Sequence, residues 1–279
     1  MTIITQRERL WIFAFDGTIV PAADRAKARL RQPIRQLLEE LADNPRNLVA
    51  LLSSRPLEDL APRVPVPGIY LGGGCGAEWH TPDNGSMTLS GRPKERLMER
   101  REALLPLLAD AAALPGIELE DHRWSVAITG GAASAKTRKD CADRLEELVG
   151  DGPATRFRRA ALVEIPFIPE ITMEFGVRAI CRLLSFDGEL ICAGSEQGDA
   201  AALSWIIRQG GKAINIGRRP LVAESLAVAD VRALNRTVRS IAGLAPAIPT
   251  RPHCQRLEAG RTAAAQPLDA PQTGCSIRR

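Results

Sequence analysis

The sequence predicts a doubly wound α/β core, built on a parallel sheet, with an α+β segment inserted into it. Three observations carry this reading. Short apolar runs alternate with amphipathic helical stretches, polar turns close the carboxyl ends of those runs, and the texture changes from about residue 92 before the first pattern resumes near residue 173. Strands buried on both faces read as unbroken apolar runs, and in parallel sheets ligands sit beyond the strands' carboxyl ends.

Leu10 to Phe15 is a nearly unbroken apolar run stopped by Asp16-Gly17-Thr18, the pattern of a buried strand that ends in a turn. Within 24–43, Leu30, Ile34, Leu37, Leu38 and Leu41 recur at three- and four-residue spacing, one apolar stripe on a charged helix. Leu48 to Leu52 is the next strand, ended by Ser53-Ser54-Arg55-Pro56, and Ile69 to Leu71 runs into Gly72-Gly73-Gly74. The inserted α+β unit, 89–168, is predicted to hold helices at Pro93–Ala113 and Ser134–Val149. Its strands are expected at Ile117–Glu120, Trp124–Thr129, near Thr155–Arg158 and at Leu162–Pro166.

The core then resumes with a helix at Met173–Ser185, a strand at Leu190–Ala193 and a helix at Ala200–Gln209 with Trp205 on its core stripe. A strand at Ala213–Ile216 and a last helix from about Leu221 to Leu244 complete it. The two core portions are thus 1–88 and 169–244. The five prolines and weak apolar periodicity of 245–279 predict a disordered tail.

Composition narrows the function. No stretch approaches the roughly 20 apolar residues of a bilayer span, and the start MTIITQRERL lacks the apolar core of a secretory signal, so a cytoplasmic protein with no membrane role is expected. The formal net charge is +4, but 245–279 hold five arginines against one Asp and one Glu, which leaves the body nearly neutral and argues against a nucleic-acid partner. The six cysteines form no CxxC pair, so neither a zinc cage nor a disulfide framework is indicated. The glycines at 72–74 lack the spacing of a dinucleotide fingerprint, and Walker, HExxH and GxSxG motifs are absent from the sequence.

Phe13-Ala14-Phe15-Asp16-Gly17-Thr18 resembles the first motif of haloacid-dehalogenase-like phosphatases, which reads Asp-x-Asp-Gly-Thr. Four further segments follow in order: Leu51-Leu52-Ser53-Ser54-Arg55-Pro56, Gly74-Cys75-Gly76-Ala77-Glu78, Leu119-Glu120-Asp121-His122 and Leu162-Val163-Glu164-Ile165. Together they resemble the trehalose-6-phosphate phosphatase family over about residues 9–244.

That resemblance implies a mechanism. The first aspartate of the motif attacks phosphorus, and the second protonates the leaving sugar oxygen and later activates water. Residues two apart on a strand face the same way, so both reach one phosphate. A Ser or Thr and a Lys hold the phosphoryl oxygens, while aspartates at a later strand end bind Mg²⁺.

The sequence departs from this pattern at several positions. Ala14 stands at the nucleophile position and Phe175 at the lysine position; the five lysines lie at 27, 94, 136, 139 and 212. Gly194-Ser195-Glu196-Gln197-Gly198-Asp199-Ala200 stands for the metal motif, His122 for a cap lysine and Cys75 for a histidine.

The resemblance therefore implies Asp16 as the surviving acid/base, and Thr18, Ser53 and Arg55 as phosphate contacts. It implies Glu78, Glu120, His122 and Glu164 as sugar contacts, with Arg123 beside them, and Asp16, Glu196 and Asp199 as a weak Mg²⁺ set. The expected function is a pseudophosphatase of trehalose metabolism that binds a sugar phosphate, or a trehalose-synthesis enzyme, without turnover. An active Mg²⁺-dependent phosphatase using a non-standard route and a structural or regulatory subunit are the alternatives.

Overall fold

The computed structural model describes residues 8–21, 29–150 and 162–246. The strand expected near Thr155–Arg158 lies outside the described residues, as does the predicted tail beyond residue 246.

Among the described residues the main sheet has eight strands. In chain order its first five are β1 (Arg9–Ala14), β2 (Asn47–Leu52), β3 (Tyr70–Gly73), β4 (Glu78–His80) and β5 (Ser86–Thr88). The last three are β9 (Glu189–Gly194), β10 (Lys212–Ile216) and β11 (Leu226–Val228). They are ordered β11-β10-β9-β1-β2-β3-β4-β5; all pairs are parallel except β3 with β4 and β4 with β5.

Helices cover both faces. Trp11 and Phe13 of β1 pack with Ile34, Leu37, Leu38 and Leu41 of α1 (Gln32–Asp43) and with Leu234 and Val238 of α7 (Val231–Ala242). The alternate residues Leu10 and Ile12 pack on the other face with Val177 and Ile180 of α5 (Met173–Leu183) and Leu203 and Ile206 of α6 (Ala200–Arg208). This period-two division of one apolar strand between two helical layers is the doubly wound arrangement the sequence predicts.

Between β5 and α5 the chain builds a second sheet, β6 (Glu118–Asp121), β7 (Ser125–Thr129) and β8 (Leu162–Pro166), antiparallel throughout. Leu97, Leu108 and Ala111 of α3 (Arg92–Ala111) and Cys141 and Leu145 of α4 (Ala135–Val149) pack with Val126, Ile128, Val163 and Ile165 of that sheet.

Three expectations change. The last helix begins at Val231, not near Leu221: Asp230 caps it by accepting a hydrogen bond from Ala233 N at 2.8 Å, and Leu226–Val228 pair with Ile214–Ile216 as an edge strand. Residues 24–28 of the expected helical stretch lie outside the described residues; among the described ones the helix begins at Gln32, with Pro33 in its first turn where a missing N–H costs nothing, and Leu30 packs on the core from the segment before it. Strands β4 and β5 and the one-turn α2 (Leu57–Leu60) are additions, too short to leave an apolar period.

One close approach fixes the entry of α5. A Cβ added at Gly176 would stand 2.5 Å from the Cys75 carbonyl oxygen and 2.7 Å from Leu52 Cδ2, so helix and turn meet backbone to backbone. Gly to Ala inside a helix ordinarily stabilises by about 1 kcal/mol. Here the clash reverses the sign, and Gly176→Ala is expected to destabilise by about 1–3 kcal/mol in urea unfolding. A gain in stability would refute the close packing.

Candidate functional site

β1 lies between β2, which follows it in sequence, and β9, which comes far later; the strand order reverses there, so the crevice of the sheet opens at the carboxyl end of β1. Ala14 is the last residue of that strand, level with Leu52 and only 5% exposed. The turn beyond it needs Gly17, which has φ +75° and where any Cβ would collide with Ser195 Oγ. Thr18 is fully buried and donates its hydroxyl to Ser195 Oγ at 3.1 Å. The floor of the crevice is thus closed by a methyl group, a turn and two hydroxyls bonded to each other.

Asp16 is buried and occupied. Arg55 grips it with two bonds, Nε to Oδ2 at 2.9 Å and Nη2 to Oδ1 at 3.2 Å. The same guanidinium donates from Nη1 to Asp59 Oδ2 at 2.9 Å and lies 3.9 Å from Glu120 Oε2. Arg63 in turn donates to Asp59 Oδ1. Burial opposes the charge on Arg55, but Asp16 and Asp59 outweigh it and raise its pKa. Burial likewise works against the Asp59 carboxylate, and the bonds from Arg63 and Arg55 overcome it and lower its pKa. Ser53 is also buried, and its hydroxyl accepts from Arg55 N at 3.2 Å, which shapes the turn that delivers Arg55.

The inserted unit brings its own polar cluster to this point. His122, at the end of β6, is 2% exposed; its Nε2 contacts Glu120 Oε2 at 3.2 Å and its Nδ1 lies 3.6 Å from Glu164 Oε1. Glu164 on β8 also accepts from Ser125 Oγ at 2.7 Å. Burial disfavours the imidazolium, yet the bonds to Glu120 and Glu164 prevail and hold the His122 pKa at about 9.

Glu78 serves a different purpose. Buried at 2% exposure, it accepts from Leu57 N at 3.0 Å, from Arg123 Nη1 at 2.6 Å and from Trp124 Nε1 at 2.9 Å, tying the main sheet to the inserted unit. Arg123 also donates to Glu58 at 2.6 Å.

Beyond β9, Asp199 Oδ2 accepts from Ser195 N at 2.7 Å and Glu196 N at 2.9 Å, and Glu196 and Asp199 close a reciprocal capping box. Burial, and then the neighbouring Glu164 and Asp16, lift Asp199 to about 6 against the two backbone bonds. These donors do not fit a divalent cation. Asp16 has both oxygens on Arg55, and Asp199 and Glu196 are turned onto backbone N–H groups. Among the described residues no three His, Cys, Asp or Glu side chains converge as a ligand set.

The lysine position is absorbed into packing. Phe175 lies in the first turn of α5, capped by Thr172, and its ring packs on the apolar cluster of the inserted unit. The structure therefore brings Asp16, Arg55, Glu120, His122 and Glu164 into one connected cluster. Ser53, Glu78, Glu196 and Asp199 serve turns and inter-sheet ties around it, and Thr18 sits below on Ser195. Asp59 was missed by the sequence reading; the signal present was the four-residue spacing of Arg55, Asp59 and Arg63.

A parallel core that reverses at β1 and carries an α+β unit inserted behind β5 is the architecture of haloacid-dehalogenase-like proteins. Within that class the sequence profile of the trehalose-phosphatase family matches residues 12–218, and the chain belongs to that family. A curated relative, trehalose-phosphate phosphatase of Mycobacterium leprae, is 31% identical over 134 residues, which are 45% of this chain and 29% of the relative. The chain thus matches less than a third of that relative's length.

Two solved structures share the fold. The C-terminal domain of the Candida albicans trehalose-6-phosphate phosphatase superposes with a TM-score of 0.65 at 15% identity, covering 86% of this chain and 93% of that one. The C-terminal domain of the Candida albicans trehalose synthase regulatory protein superposes with a TM-score of 0.61 at 14% identity, covering 84% and 92%. Among the described residues no helix is long and apolar enough to cross a membrane.

Proposed function

We propose that the protein is a pseudophosphatase of trehalose metabolism, a member of its family that retains a sugar-recognition cluster and has lost turnover. One observation carries the reading: the residue at the end of β1 is Ala14, and the carboxylate two positions on is clamped at both oxygens by Arg55. A methyl group cannot attack phosphorus, and removing a covalent nucleophile lowers rates by several orders of magnitude. Both oxygens of Asp16 are engaged by Arg55, which takes them from the acid/base role. Phe175 and Ser195, at the positions of the lysine and the first metal aspartate, remove two further sources of phosphoryl charge neutralisation.

The test is phosphate release from trehalose-6-phosphate with Mg²⁺ supplied, beside an Ala14→Asp/Ser195→Asp variant as a repaired control. The natural chain is expected to release nothing above a heat-killed sample. Release that disappears in Asp16→Asn would overturn the reading in favour of a non-standard phosphatase.

A trehalose-synthesis enzyme is the partner proposed for such a protein, and the cytoplasm its place. Support comes from the family itself and from the fold shared with the C-terminal domain of the Candida albicans trehalose synthase regulatory protein. Copurification that persists with no sugar present would favour a subunit role over a sugar-sensing one.

A further inference from the structure

We propose that β5, at the open edge of the main sheet, is a homodimer interface: a second copy of this chain adds its own β5 antiparallel, and the two sheets become one.

The backbone offers the pairing. β5 ends the sheet, and Ser86, Met87 and Thr88 are all exposed. Thr81 N donates to the Gly85 oxygen and Leu89 N to the Ala77 oxygen, both at 2.9 Å, while Met87 pairs with Trp79 of β4. Gly85, Met87 and Leu89 therefore turn their polar groups toward β4, and the alternation of an antiparallel ladder turns the N–H and C=O of Ser86 and Thr88 outward. Natural edges are commonly blunted by a Lys or a Pro, and Ser86-Met87-Thr88 carries neither.

So short a strand pairs weakly by itself, and apolar side chains add to it. Met87 is 38% exposed and Leu183, at the end of α5, is 43% exposed; with Tyr70, Pro82 and Leu184 they line a cleft of about 460 Å³. When Ser86 lies opposite the second copy's Thr88, Met87 faces its own counterpart across the two-fold. A two-fold that runs through the sheet keeps both α5 layers on one face, so the two clefts and the two Leu183 side chains flank the seam.

Charge selects the occupant. Asp83 lies in the turn before β5, and Arg92 opens α3 just after it. The same register sets Asp83 opposite the second copy's Gly91, one residue from its Arg92, and the two-fold repeats the contact. Arg92 is exposed and makes no hydrogen bond or ion pair among the described residues. It also stands at the positive end of a helix dipole, where a cation is disfavoured unless an acid comes to meet it. The other edge of the sheet lacks this match: β11 carries the exposed Leu226, but Glu224 and Asp230 flank it, and an antiparallel copy there would set acid against acid.

The experiment is sedimentation velocity on the full chain from low to high micromolar concentration, with a thiol reductant present. The mass is expected to rise with concentration from 30.2 kDa toward twice that value. Met87→Lys sets like charges across the two-fold, and Thr88→Pro removes an outward N–H without touching the β4 ladder. Each is expected to hold the chain monomeric with an unchanged circular-dichroism spectrum. Asp83→Lys and Arg92→Glu are each expected to weaken the dimer about tenfold, and the double charge swap to restore it, because the swap rebuilds the pair with its signs exchanged.

A chain that stays at 30.2 kDa throughout would overturn the proposal. So would a dimer that survives both Met87→Lys and Thr88→Pro, which would lie on another surface, or a double swap that fails to recover what each reversal loses. Should Thr88→Pro misfold, Met87→Lys and the charge swap decide the matter, since each alters exposed side chains and no backbone group.

Discussion

Arg55→Ala is expected to lower the unfolding free energy by about 3–5 kcal/mol, the usual result of removing one partner from a buried ion pair. The side chains of Arg55 and Asp16 are 3% and 7% exposed, so the pair is held away from bulk solvent. Its loss takes two bonds from the buried Asp16 carboxylate and one from Asp59, which keeps those from Arg63. Arg55→Lys keeps the charge but not the planar fork, so one of the two bonds to Asp16 goes and the loss is expected to fall between that of alanine and zero.

A double variant, Arg55→Met with Asp16→Asn, separates pairing from packing. With neither charge buried, it should recover part of what Arg55→Ala loses, because an uncharged amide costs far less to bury than an unpaired carboxylate. Urea unfolding of wild type, Arg55→Met, Asp16→Asn and the double variant closes the cycle. A loss under about 1 kcal/mol for Arg55→Ala would mean that Asp16 finds water or another cation, and that its clamping is not a feature of the folded state.

How much of this was legible in the sequence follows from the range of the interactions. The double-sided burial of β1 and β2 was legible because each is an unbroken apolar run, and the turns after them because Asp-Gly and Ser-Arg-Pro stop such runs. The fate of Arg55 was not. Ser53-Ser54-Arg55-Pro56 reads as a polar turn with a solvated arginine, and the partner that buries it lies 39 positions away.

Glu78 was illegible for the same reason. Its burial depends on Arg123 and Trp124, which reach it only once the inserted unit has folded over the turn at Gly74–Gly76. Strand β5 is exposed along its whole length and has no apolar period to read. The start of the last helix failed differently. Leu221, Val222, Leu226 and Val228 continue the helical stripe by type, and only the cap at Asp230 marks where the helix begins. Family likeness supplied the site residues that periodicity could not, but it carried no information about which of them had been turned onto each other.

The second large effect is a pH dependence centred on His122. Its folded pKa of about 9 lies above the ordinary 6.5, so the folded state holds a proton that the unfolded chain releases earlier. The stability this contributes is complete below pH 6.5 and is lost as the pH rises through 9; it amounts to roughly 3 kcal/mol, since each pKa unit is worth about 1.4 kcal/mol. The groups that face the ring are Glu120 beside it on β6, Glu164 on β8 and, across the crevice, Arg55, whose charge works against the proton. Asp199 also titrates above its ordinary value, but its window runs from 3.8 to about 6 and closes before that of His122 opens.

Buried thiols such as Cys192, raised by burial, add their own loss at the alkaline end. The informative quantity is therefore the difference between wild type and His122→Gln. Glutamine keeps a donor near Glu120 but carries no proton to lose, so its unfolding midpoint in urea should fall less steeply between pH 6.5 and 9, and the two chains should converge as the imidazolium disappears. Parallel curves across that range would mean that His122 is neutral in the folded protein, and that Glu120 and Glu164 hold their positions through other bonds.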